Sequence, residues 1–160
     1  MSGSESRVVA ELPTGVVSEL RERLGEDLRT AVLFGSQARG EAWESSDWDV
    51  LVVARGLPKK ILERAIFLKL ILPDSWRGEV SLLAKTPEEF AAGLPEVYLD
   101  IALDGVVLYD TDGYMARRLE YLRALIRRKG LRREQDGRDL IWRWGQPPAA
   151  DWSLEWEEAT

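Results

Sequence analysis

The run Arg29-Thr-Ala-Val-Leu-Phe34 ends abruptly at Gly35-Ser36, and this junction restricts the fold more than any other feature of the chain. An apolar run this rich in branched and aromatic residues fits a buried strand. Glycine lets the backbone turn sharply where the strand stops. Gln37 to Glu41 then reads as a short helix.

The same alternation continues along the chain. Pro13 to Gly25 places Val16, Val17, Leu20 and Leu24 at helical spacing, with Thr14 to cap its start and Gly25 its end. Ser45-Ser46 marks a turn, and Asp47-Trp-Asp-Val-Leu-Val-Val53 is a second strand. Lys59 to Leu72 predicts a helix with Ile61, Leu62, Ala65, Ile66, Leu68 and Leu72 inward, stopped by Pro73. Glu79 to Ala84 is a third strand. Thr86-Pro-Glu-Glu89 is a capping box opening a helix, with proline at the first helical position. Leu94 to Leu103 is a further helix, Val106 to Tyr109 a fourth strand, and Asp112 to Lys129 a long helix that Gly130 ends. The order predicts an α/β domain over 1–130. Residues 131–160 differ: Trp142, Trp144, Trp152 and Trp156 are scattered among charges and Pro147-Pro148. This extension is too polar to make its own core. It is expected to pack on the domain or on another chain, a homo-oligomer included.

Composition removes several chemistries. Among 160 residues there is no cysteine and no histidine. Disulfides, thiolate nucleophiles, thiolate metal sites and imidazole bases are therefore excluded, leaving carboxylates, hydroxyls, amines and a hard cation. No apolar run approaches the ~20 residues needed to cross a bilayer. Met1 to Arg7 is polar and acidic rather than a signal peptide, so a cytoplasmic location is expected. The absence of asparagine together with abundant charge suits a thermophile's protein, or equally a GC-rich genome. A net charge of −6 argues against DNA as a partner. Residues 117–133 nevertheless carry eight basic side chains against Glu120 alone, which reads either as a solvated helix face or as a docking surface for protein or RNA.

Two segments carry the chemistry. In Leu33-Phe-Gly-Ser-Gln-Ala-Arg-Gly40, a strand ends at glycine and a helix N-terminus follows, the arrangement that receives phosphate. Ser36 adds a hydroxyl donor, and Arg39 lies one turn further on, in reach of a phosphate or merely on the surface. In Ser46-Asp-Trp-Asp-Val50, Asp47 and Asp49 are two apart on a strand and point the same way. Two carboxylates aimed at one point call for a cation, and oxygen ligands select Mg²⁺ or Mn²⁺.

Together they read Gly-Ser-x10-Asp-x-Asp, and here the chain resembles the DNA polymerase β-like nucleotidyltransferases, in particular the minimal nucleotidyltransferases. The resemblance covers roughly residues 28 to 110. It implies a small mixed sheet of four to five strands flanked by helices, with Gly35 and Ser36 at the nucleotide's phosphates and Asp47 and Asp49 at Mg²⁺. It also implies a third carboxylate on a neighbouring strand. The family register places that group at Ser81, so Glu79, two residues earlier on the same face, is the candidate to serve as third metal ligand and catalytic group. By this resemblance the reaction is transfer of a nucleotide, AMP from ATP, to a hydroxyl with release of pyrophosphate. The expected acceptor is a HEPN-family partner protein, in an antitoxin role. A small-molecule acceptor and a degenerate binding module without turnover are the alternatives.

Overall fold

The computed structural model describes residues 14–41, 47–137, 139–144 and 156. Met1 to Arg7, the Ser45-Ser46 turn, Pro147-Pro148 and Trp152 lie outside the described residues. Helix α1 (14–24) leads into β1 (Leu28–Phe34), α2 (Ser36–Arg39) and β2 (Trp48–Ala54). Then follow α3 (Ile61–Ile71), β3 (Val80–Lys85), α4 (Pro87–Ala92), α5 (Glu96–Asp104), β4 (Val106–Asp110) and α6 (Tyr114–Lys129). A hairpin of β5 (Leu131–Asp136) and β6 (Asp139–Trp144) ends the described part.

The main sheet is mixed, in the order β3-β2-β1-β4. Strand β1 pairs antiparallel with β2 and β4, while β2 and β3 run parallel. Side chains alternate across the pleat, so each strand feeds two cores. Val32, Leu51 and Val53 pack under α4, α5 and α6 with Phe90, Leu99, Met115, Leu119 and Leu122. Ala31, Leu33, Val50 and Val52 pack on the opposite side with Val16 and Leu20 of α1 and Ile71 of α3. Residues 31–32 and 50–53 are fully buried, which explains their unbroken apolar character. Each valine or leucine among them contributes roughly 1.5–3 kcal/mol by leaving water.

The helix ends follow their local chemistry. Thr86 accepts from the Glu89 amide at 3.1 Å and Glu89 accepts from the Thr86 amide at 2.8 Å, so the capping box is formed. Gly130 takes the left-handed conformation after α6. At the other end of α6, the Asp110 carboxylate accepts from the amides of Met115 and Ala116.

The orientation of α3 corrects the sequence reading. Ile61, Leu62, Ala65 and Ile66 do not face inward. Ile61 is 86% exposed, Leu62 78%, and Ile66 and Leu70 60% each. Phe67, Leu68 and Ile71 pack inward instead, beside Arg64. The Arg64 guanidinium reaches the carbonyl of Pro58 at 2.7 Å and Glu89 at 2.8 Å. With apolar residues all round the helix, it is this arginine's partners that fix which side turns in.

The C-terminal segment also forms more structure than its composition suggested. Leu131 is buried in the same core as α5 and α6, and Trp142, Trp144 and Trp156 pack against that core. The Trp156 ring lies 5.5 Å from Phe90 and 5.4 Å from Tyr121, and its indole N–H donates to the Gly93 carbonyl at 2.9 Å. The basic stretch is partly internal too. Arg118 lies over the Phe90, Tyr114 and Trp156 rings, and Arg123 donates to the Ala102 carbonyl at 2.9 Å.

Candidate active site

The register of β1 on β2 places Phe34 opposite Asp49, so the chain turns at Gly35 directly against the Asp49 carboxylate. Gly35 has φ 78° and ψ −161°, a region essentially reserved for glycine. A Cβ there would also collide with Asp49 Oδ2. Glycine is thus required twice, by the backbone and by the acid beside it. Helix α2 starts at Ser36 and stops at Arg39, somewhat earlier than the sequence suggested. The amides of Ala38 and Arg39 return to the Gly35 carbonyl at 3.1 and 3.2 Å, which ties Ser36 to the turn.

Asp49 shares the sheet face of Leu51 and Val53 and is half-buried, whereas Asp47 is exposed at the strand's mouth. Burial raises the Asp49 carboxyl above the ordinary aspartate range, Asp47 raises it further, and Arg39 pulls it down. Asp47 and Arg39 are therefore both electrostatic neighbours of Asp49. The Arg39 guanidinium is 17% exposed; it donates to Glu41 at 3.2 Å and lies 3.6 Å from Asp104 at the end of α5. The Asp104 contact spans 65 positions of sequence, and no local signal announces it.

On the other side of Asp49 the parallel register pairs it with Ser81, the position where the third carboxylate was expected. Glu79 is exposed and precedes β3, which begins at Val80 rather than at Glu79. The Glu79 carbonyl accepts from the Trp48 amide at 2.8 Å, which holds its backbone beside β2. Among the described residues no three acidic, histidine or cysteine side chains form a group that could hold a metal ion. Gly35, Ser36, Asp47, Asp49 and Arg39 are gathered at one end of the sheet, and Glu79 lies at that same end with its backbone beside Trp48.

A mixed sheet with helices on both faces, a glycine turn after its central strand and an acidic pair opening the next is the architecture of nucleotidyltransferases. The Polymerase beta, Nucleotidyltransferase family model matches residues 18–113, and the chain belongs to this family of enzymes. A protein of Methanocaldococcus jannaschii, provisionally named a protein adenylyltransferase, is 29% identical over 116 residues, covering 70% of this chain and 79% of the relative. Among solved structures, a toxin–antitoxin complex with AMP-PNP aligns with a TM-score of 0.53 at 19% identity, over 72% of this chain and 87% of that one. A mutant of the MntA–HpeT toxin–antitoxin aligns with the same TM-score at 17% identity, over the same shares of both chains. These likenesses establish the fold. No helix among the described residues is long and apolar enough to cross a membrane.

Proposed function

We propose that this protein transfers AMP from ATP to a hydroxyl of a partner protein, releasing pyrophosphate. The observation that carries the reading is the contact between Gly35 and Asp49, which sets the glycine turn that would receive phosphate against one carboxylate of the acidic pair. The relative from M. jannaschii supports protein as the acceptor, the toxin–antitoxin structures of like fold support a toxin as its class, and the motif's resemblance to minimal nucleotidyltransferases supports a HEPN-type one.

The residues fit a hard divalent cation. Asp49 is half-buried with its carboxyl raised by burial and by Asp47, and both the burial cost and the repulsion fall when a cation sits between the two groups. Mg²⁺ or Mn²⁺ held by Asp47 and Asp49 would supply charge neutralisation at the phosphates and a lower pKa at the acceptor hydroxyl. Ser36 and the backbone at Gly35 would hold and orient the triphosphate. Arg39 would meet its negative charge. Glu79, exposed beside β2, would receive the acceptor's proton if its side chain turns toward Asp47.

The test is transfer of label from α-labelled ATP, with Mg²⁺ and a small helical HEPN partner. Label is expected on the partner, and Asp49→Asn is expected to lower transfer by at least ~10³-fold. Undiminished transfer by the variant would overturn the site assignment. One observation favours a second reading: Ser81 occupies the place of a third carboxylate. A nucleotide-binding module without turnover would bind ATP by calorimetry and leave every candidate partner unlabelled.

A further inference from the structure

Arg39 sits in an unusual electrical situation. Its nearest α5 carboxylate, Asp104, is already engaged by a second arginine from the C-terminal hairpin. Arg133 of β5 donates through Nη1 to Asp104 Oδ2 at 2.5 Å and through Nη2 to Oδ1 at 2.9 Å, a two-pronged grip on both oxygens. Toward Asp104, Arg39 keeps only a long contact, 3.6 Å, to the same Oδ2, and its other carboxylate partner is the exposed Glu41 at 3.2 Å. Arg133 is itself held, since its Nη1 also reaches Asp100 Oδ1 at 3.2 Å, and the Trp142 indole N–H donates to that same oxygen at 3.0 Å. The side chains of Arg39, Asp104 and Arg133 are 17%, 12% and 16% exposed, so solvent screens the cluster only in part.

We infer that Arg133 is a positioning residue for the nucleotide site: by taking both oxygens of Asp104, it leaves Arg39 available to the phosphates at Gly35-Ser36. The inference rests on the proposed nucleotide reading and adds the hairpin to it. Without Arg133, Asp104 has one strong cation within reach and closes on Arg39 in a tight pair. The nucleotide must then break that pair before Arg39 can serve it, and affinity falls. Asp104 is thus a competitor for Arg39, and Arg133 keeps the competitor occupied. A fork is needed for this, because lysine offers a point charge that covers two oxygens poorly.

The test is calorimetric titration of the full chain with Mg-ATP, with the transfer assay alongside. Arg39→Ala should weaken binding. Arg133→Ala should weaken it about tenfold, raising KM for ATP more than it lowers kcat, with Arg133→Lys intermediate. Removing the competitor as well, in Asp104→Asn with Arg133→Ala, should restore affinity to near wild type. Mere scaffolding by Arg133 predicts the opposite, a double variant at least as weak as the single one, and that result would overturn the inference. Should Arg133→Ala fail to fold, Asp104→Asn alone decides: equal or tighter binding supports the competition, weaker binding ends it. Wild type that does not bind ATP sinks the nucleotide reading and this inference together. Wild type that binds while Arg39→Ala binds equally well sinks this inference alone.

Discussion

The two flanks of Asp49 are built to different standards. Toward β1, the carboxylate lies against Gly35, where backbone conformation and space both forbid any other residue. Toward β3, its register partner is Ser81, small and exposed, with Glu79 standing outside the strand. The β1 flank is over-determined and the β3 flank is loose. On the proposed reading the first flank would suit the nucleotide, which must always be held alike, and the second would face the acceptor. The contrast separates what the fold must preserve in order to bind from what it can vary in choosing and activating an acceptor.

Substitutions can break or sharpen this contrast. Gly35→Ala should have the largest effect. It forces a side chain into a glycine-only conformation and into Asp49, costing about 2–4 kcal/mol of stability in a melt, with ATP binding lost as well. A variant that still binds ATP would show that the β1 flank is not fixed after all. Ser81→Asp should act in the other direction. It supplies a carboxylate beside Asp49 at an exposed position, and transfer at saturating Mg²⁺ should rise by roughly tenfold. No gain would mean that the β3 flank already has what it needs. Glu79→Gln should change transfer less, by about threefold, measured in the same assay. A collapse of activity would restore Glu79 to a full catalytic role.

The smallest effect concerns stability. Asp49 has its folded carboxyl pKa raised above the unfolded value, so its contribution to stability is fully present below the unfolded pKa. That contribution is lost as pH rises through the folded pKa. Asp49→Asn should therefore melt slightly higher than wild type at neutral pH without metal, and the advantage should vanish in acid. A deficit at neutral pH that shrinks in acid would show that the charged carboxylate is structurally favourable instead.

Much of the fold was legible because apolar strands and capped helices declare themselves locally. Val32, Leu51 and Val53 alternate with Leu33, Val50 and Val52 across one sheet, and Thr86 with Glu89 caps α4 as its sequence dictates. What was not legible depends on distant partners. Which side of α3 turns inward is decided by Arg64 meeting Pro58 and Glu89, and periodicity is silent when Ile61, Leu62 and Ile66 are as apolar as Phe67 and Ile71. Strand β5 was hidden because four of its six residues are charged. At the candidate site, the spacing of Gly35, Ser36, Asp47 and Asp49 announced their meeting at one end of the sheet. Strand β3 starts at Val80, one residue later than the Glu79–Ala84 reading. Asp104 could not be found from sequence, since it lies 65 residues from Arg39.

The outward row of α3 has a calorimetric consequence. Ile61, Leu62, Ile66 and Leu70 already touch water in the folded chain. Their hydration changes little on unfolding, so they add little to its heat capacity. The isolated chain should thus have a flatter stability curve than its hydrophobic content implies, with part of its apolar material standing idle in the thermodynamics of folding.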